Sequence, residues 1–294
     1  METSNSTEES KEVSSSDTQP QEPLIAGRYR KISKINSGKN SSVWLVADTH
    51  NEDQQIALKL LGRELIFNSR AYQRFEQEMS EAKLMQHPGF VRIFDFSPRG
   101  AEQHFFTMEY VEAQRLDTLL GEDTGGLSFP QIVSTLTELF EAASFANSLN
   151  ILLLPIRPRS IFITAAGAKL YYRSEDQNLI TASGVCSVMD IPTAVYHAPD
   201  TRSGGQVDEP SMIYNLGLLA HEMATGVPTF QSRDLEQLFN MHLYKEPPEI
   251  SLYRSDIPEW YQSFVRKCLR KSRFWRYHSL TRAIKYLKSH SQGL

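Results

Sequence analysis

The stretch from Asn150 to Ser174, NILLLPIRPRSIFITAAGAKLYYRS, is where any chemistry of this chain has to be judged, and it contains no Asp, Glu or His. Its charges are Arg157, Arg159, Lys169 and Arg173. At neutral pH such a set supplies neither a ligand for a divalent metal nor a carboxylate base. Elsewhere His87, His197 and His221 have no partners at ligand spacing, so they read as packed or surface histidines. Cys186 and Cys268 are the only cysteines. They make no disulfide framework and no metal-ligand spacing, which points to a reducing, cytoplasmic compartment. The run Arg266, Lys267, Arg270, Lys271, Arg273 and Arg276, with Phe274, Trp275 and Tyr277, would suit an acidic partner or nucleic acid. A solvated helix with aromatic anchors into the core is the preferred reading.

A chain of 294 residues can bury one large core or two lobes sharing a cleft. The net charge is -4, but residues 1 to 24 hold six acids against Lys11 alone, which leaves the remainder near +1. A near-neutral body gives no electrostatic reason to expect nucleic acid or a membrane surface. No apolar run is long enough for a membrane-spanning helix. The opening METSNSTEESKEVSSSDTQPQEP is acidic and rich in Ser and Thr, with no apolar core of a signal peptide. Residues 1–24 are therefore expected to be a disordered, solubilising tail.

The elements that must position the central stretch follow from periodicity. YRKISKI, SVWLVAD and QQIALKLL alternate as strands between turn residues. Tyr72, Phe75, Met79, Ala82 and Met85 then recur at helical spacing, stopping near His87-Pro88. GFVRIFDF and HFFTMEYV supply two more strands. After Gly125-Gly126 the chain turns helical. Ser128 with Gln131 reads as a capping box ahead of the stripe Ile132, Leu136, Leu139, Phe140, Ala143 and Ala146. Ile161 to Thr164 and Ala168 to Tyr172 form a hairpin about Ala165-Ala166-Gly167. IYNLGLLAHEMATG, apolar nearly all round, reads as a buried helix, and further helices are expected over 235–242, 259–271 and 279–288.

This order and several local motifs resemble the eukaryotic-type serine/threonine protein kinase fold over residues 28 to 290. The resemblance implies an α+β, two-lobed architecture: residues 25–294 form the domain, 25–110 a small antiparallel-sheet lobe carrying one helix, and 111–294 a larger helical lobe. It makes Lys59, at the end of IALK, the lysine that holds the α- and β-phosphates, paired with Glu78 on the helix. Against the glycine-rich loop, Asn36 to Val43 keep only Gly38 and Val43. Val43 and Ala57 would roof an adenine pocket, with Met108, Glu109 and Val111 at the hinge.

In the second lobe the resemblance puts Leu153 to Ser160 at the family's H-R-D-L-K-P-x-N and Tyr172-Arg173-Ser174 at D-F-G. Pro155 then stands at the catalytic aspartate, Ser160 at the metal-binding asparagine and Tyr172 at the metal-binding aspartate. Arg173 adds a positive charge beside them, and Leu154 removes the arginine that reads a phosphorylated loop. Sliding the register to bring Glu175 or Asp176 to the metal position would break the apolar alternation of Ala168, Leu170 and Tyr172. Ala198-Pro199-Asp200 resembles A-P-E, with Arg276 as the partner of Asp200, a structural pair. Met212 replaces a buried aspartate that anchors the loop from below.

The expectation from these positions is a catalytically inactive pseudokinase: a binding, scaffolding or regulatory signalling module with a protein partner, requiring no cofactor and binding ATP weakly without magnesium. The alternative is a weak or unconventional serine/threonine protein kinase that transfers the ATP γ-phosphate to protein.

Overall fold

The computed structural model describes residues 23–38, 41–62, 69–121, 126–153, 155–172, 191–201 and 208–292. Residues 1–22, Leu154, Arg173, Ser174, Glu175, Asp176 and Cys186, on which several expectations fall, lie outside the described residues.

The alternating runs form β1 (Tyr29–Ser37), β2 (Ser41–Asp48) and β3 (Gln54–Leu61), followed by α1 (Ser69–Leu84), β4 (Ile93–Phe96) and β5 (Phe105–Met108). They make an antiparallel sheet of order β1-β2-β3-β5-β4. Helical spacing puts Tyr72, Phe75, Met79 and Ala82 of α1 on one buried face. That face closes over the sheet, with the Phe75 ring 5.8 Å from Phe96 and 6.4 Å from Phe106. The strand expected over GFVRIFDF begins only at Ile93. Its first residues are tied to the other lobe: Val91 N–H donates to the Leu170 carbonyl and Leu170 N–H to that of Gly89, at 3.0 and 2.7 Å.

The second lobe contains β6 (Gln114–Arg115), α2 (Leu116–Gly121), α3 (Phe129–Ser148), β7 (Ile161–Thr164) and β8 (Gly167–Leu170). It continues with α4 (Ile191–Ala194), α5 (Glu209–Thr225), α6 (Leu235–Tyr244), α7 (Glu259–Cys268) and α8 (Leu280–His290). At the start of α3, Gln131 Oε1 accepts the Ser128 N–H at 2.9 Å. Helix α5 is buried from Ser211 to Ala224. It begins where the Asp208 carboxylate accepts from Ser211 N–H and ends at Gly226, whose φ of 74° needs no side chain. Gly217 lets α5 and α7 touch, since a Cβ there would stand 2.6 Å from Cys268 Cβ.

Further boundaries differ from the sequence reading. β6 and α2 arise in a segment read as polar connection, because two residues of β6 pair with Phe162 and Ile163 of β7. β8 ends at Leu170, so Tyr171 and Tyr172 leave the strand. α7 stops at Cys268 because the Arg270 and Lys271 carbonyls turn to accept from the Arg276 guanidinium at 2.7 and 2.9 Å. No described helix is long and apolar enough to cross a membrane.

Candidate active site

A cleft of about 420 Å³ between sheet and helices gathers Gly38, Val43, Ala57, Lys59, Met108, Glu109 and Val111. Strand register does this, setting Val43 opposite Lys59 and Ala57 opposite Met108. Lys59 is only 6% exposed, with Nζ 5.8 Å from the centre of the Phe106 ring. Glu78 is half-buried on α1, one turn beyond Phe75, and is not part of the cleft wall. Glu109 N–H is committed to the Arg92 carbonyl at 2.8 Å, and its carboxylate meets Lys169 Nζ at 2.9 Å. Arg115, Arg159, Phe162 and Tyr171 also line it, and sequence reasoning assigned none of them a part in it.

Behind the cleft runs the loop carrying Pro155. Pro155 is buried and its side chain has no hydrogen-bonding atom. The next residue is fixed from below by Asn215 of α5, whose Oδ1 accepts Ile156 N–H at 3.0 Å while Nδ2 donates to the Ile156 and Tyr196 carbonyls at 3.0 and 2.9 Å. Sequence reasoning looked for this anchor at Met212, which is fully buried among apolar neighbours. The available signal was the lone carboxamide in the middle of a helix buried from Ser211 to Ala224. Farther along, Ser160 Oγ donates to the Arg157 carbonyl at 2.8 Å and accepts Arg157 N–H at 3.3 Å. The Arg157 guanidinium, 2% exposed as a residue, donates to Thr193 Oγ1 at 2.9 Å. Tyr172 leaves β8 and donates its hydroxyl to Glu81 of α1 at 3.0 Å.

A second cleft of about 340 Å³ adjoins the first, and Arg159 borders both. Its wall includes Asp117, Arg157, Tyr196 and Glu222. Glu222 accepts the Tyr196 hydroxyl at 3.1 Å, yet burial pushes its carboxyl up to about 7. Below it, Arg276 is 1% exposed and reaches both Asp200 oxygens, at 2.5 and 3.3 Å, with a further bond to the Pro210 carbonyl at 3.0 Å. Arg276 thus joins the Ala198-Pro199-Asp200 segment to α5.

The family model described as "Protein kinase domain" matches residues 29–288. The chain belongs to the protein kinase family. The kinase domain is 25% identical to the serine/threonine-protein kinase PrkC of Bacillus subtilis (strain 168) over 259 residues, 87% of this chain and 39% of that protein. It is 26% identical to the serine/threonine-protein kinase pkn3 of Myxococcus xanthus over 246 residues, 79% and 44% of the two chains. It therefore spans about two fifths of the length of these relatives. Its fold is similar to that of the Mycobacterium tuberculosis PknI kinase domain, with a TM-score of 0.67 and 19% identity over 91% of this chain and 97% of that one.

These relatives correct the expectation of an inactive scaffold. Both are named serine/threonine kinases, and the family model runs through the loop that suggested inactivity. The inference read activity from four replaced positions alone, whereas charge stabilisation is summed over a whole cleft, in whose wall Lys59 is retained.

Divalent metal is the group this fold family implies, and the described residues do not fit one. At the two positions where the family's pattern holds metal, Ser160 Oγ donates within its own loop and the Tyr172 hydroxyl donates to Glu81 of α1. Among the described residues no three His, Cys, Asp or Glu side chains group as metal ligands.

Proposed function

We propose that this kinase domain is an unconventional serine/threonine protein kinase: it binds ATP in the interlobe cleft and transfers the γ-phosphoryl group to a protein hydroxyl. The observation that carries this reading is the buried Lys59 at the inner end of a cleft whose roof, Val43 and Ala57, and hinge, Met108 to Val111, suit a purine. The named activities of relatives matched over most of this chain support it.

In this reading the adenine lies between Val43 and Ala57 on one side and Phe162 on the other, and the hinge backbone reads its edge. Lys59 holds the phosphates. The acceptor peptide enters through the second cleft, which meets the first at Arg159. The bond from the γ-phosphorus to ADP breaks, a bond to the Ser or Thr oxygen forms, and the hydroxyl proton passes to the transferred phosphoryl group or to solvent. No described carboxylate stands at Pro155 to take that proton. A general base contributes about 10²–10⁴-fold, so turnover slower by roughly that factor is expected. The loose transition state depends more on charge than on a base.

The test is incubation with labelled ATP and a generic protein substrate, with magnesium, with manganese and with chelator. The reading requires transfer that disappears in Lys59→Ala. Absence of transfer under all three conditions would overturn it.

A further inference from the structure

We infer that the basic face at the end of α7, with the turn that follows it, is a docking surface for a short acidic peptide segment of a protein partner. Carboxylates of the partner meet Arg270 and Lys267, and an apolar or aromatic side chain lies against Trp275. No residue of the two clefts described above takes part, so the surface does not depend on nucleotide binding.

A cavity of about 630 Å³ is lined by Ser263, Arg266, Lys267, Arg270 and Trp275. That volume suits a few side chains of a ligand. Its charges are not all matched. Arg266 is paired with Glu259, which also accepts from Ser263 Oγ at 3.2 Å. Lys267 Nζ stands 4.3 Å from the centre of the Tyr277 ring, a contact that positions the ammonium without neutralising it. Arg270 is exposed, and among the described residues no carboxylate lies within ion-pair distance of Arg270 or Lys267. These two cations therefore leave the cavity positive.

The aromatic residues beside it do not sit as sequence reasoning expected. Phe274, Trp275 and Tyr277 were to anchor the basic helix in the core, but only Tyr277 does so, at 6% exposure. Phe274 is 77% exposed and Trp275 is 73% exposed. An accessible Trp ring beside an Arg is the pairing enriched at the centre of protein interfaces. The backbone that carries them is fixed. Trp275 N–H donates to the Ser272 carbonyl at 3.1 Å in the turn Arg273–Trp275, and the buried Arg276 guanidinium ties down the Arg270 and Lys271 carbonyls at 2.7 and 2.9 Å. A pre-formed platform lowers the ordering cost of binding.

Charge complementarity selects the occupant. A nucleic-acid strand needs a groove of cations that tracks its backbone. Here two unmatched cations share one cavity with one ring, which is the footprint of a few residues of peptide. The Arg270 fork suits a carboxylate in bidentate contact, and Lys267 a second carboxylate as a point charge.

The experiment selects random peptides displayed against the full chain, then measures the affinity of the enriched sequences as synthetic, fluorescein-labelled peptides. They are expected to carry Asp or Glu residues beside an aromatic or aliphatic one, and to lose binding when the acids become Asn or Gln. Arg270→Gln and Trp275→Ala should each weaken them by about tenfold, the worth of a charge-assisted contact or a central ring. Arg270→Lys should lose less, and thermal midpoints within about 2 °C of native would show that the variants fold. Failure to enrich any peptide overturns the inference, as do enriched peptides without acids and equal affinity in both variants. Tighter binding of single-stranded oligothymidylate than of any selected peptide would make this a nucleic-acid surface and overturn it too. Acidic peptides that bind only after Glu8, Glu9 and Glu12 are changed to Gln would make the chain's own amino-terminal acids the occupant and overturn a separate partner.

Discussion

Asn215 brackets a single residue of the Pro155 loop, accepting the Ile156 N–H and donating to the Ile156 carbonyl, both at 3.0 Å. Its second amide hydrogen goes to the Tyr196 carbonyl at 2.9 Å, so one fully buried carboxamide joins three segments that are remote in sequence. Removing it leaves several buried backbone groups unsatisfied. Asn215→Ala is expected to cost about 2–4 kcal/mol by that count. Asn215→Asp should cost more, because a buried charge would then face two carbonyl oxygens. Urea denaturation checks both, and a change within about 0.5 kcal/mol for Asn215→Ala would show the anchor to be elsewhere.

Tyr172 and Glu81 couple the end of β8 to α1 through one bond at 3.0 Å. Glu81 is half-buried, so Tyr172→Phe should lose about 1 kcal/mol. A double-mutant cycle with Glu81→Gln should return a coupling of similar size. Additive losses would mean that the hydroxyl does not hold the helix.

Arg276 donates to Asp200 and to the carbonyls of Pro210, Arg270 and Lys271 from a site that is 1% exposed. Asp200→Asn strands a buried guanidinium, an effect of about 3–5 kcal/mol. Arg276→Lys should cost nearly as much, since an ammonium cannot span those acceptors. Thermal unfolding would expose a lesser role: a midpoint within about 2 °C of native in either variant contradicts this account.

Acid should destabilise the domain before its exposed carboxylates titrate. Burial holds His197 down at about 4 and His242 at about 3, against 6.5 for a free imidazole. Their folded values are depressed, so the unfolded chain takes up protons first. The stability they contribute is complete above about pH 6.5 and drains as pH falls toward 4. Each should cost about 2 kcal/mol between pH 6.5 and 4.5. Glu222 works the other way, its raised value giving stability below 4.5 that is lost as pH rises to about 7. Two histidines outweigh one carboxyl. Urea midpoints from pH 7 to 4.5 should therefore fall steeply in the native chain and less in a His197→Gln, His242→Gln double variant. Parallel curves would assign the acid sensitivity to other groups.

The long helices were legible because burial imposes a period on them, as for Tyr72, Phe75, Met79 and Ala82 on α1. β2 and β3 instead bury continuous runs, Val46 to Asp48 and Ile56 to Lys59, and were legible from their apolar content between turn residues. β6 was not, because two exposed residues carry no period and become a strand only by meeting Phe162 and Ile163. Val43, Ala57, Lys59 and Met108 could be grouped from motif and spacing, since strand register alone aligns them. Arg159 could not, because its place between two clefts depends on how a turn in one lobe meets the strands of the other.

By itself the sequence determined the two-lobed α+β order, the family, and the side chains present at Pro155, Ser160 and Tyr172. Only tertiary structure decided what those side chains do. Local pattern specifies which face of an element is apolar, but a hydroxyl or carboxamide takes its role from partners brought in by long-range packing. The Tyr172 hydroxyl is taken by Glu81 of α1 and Asn215 of α5 became the anchor of the loop, both across long sequence separations, while Ser160 bonds Arg157 within its own turn.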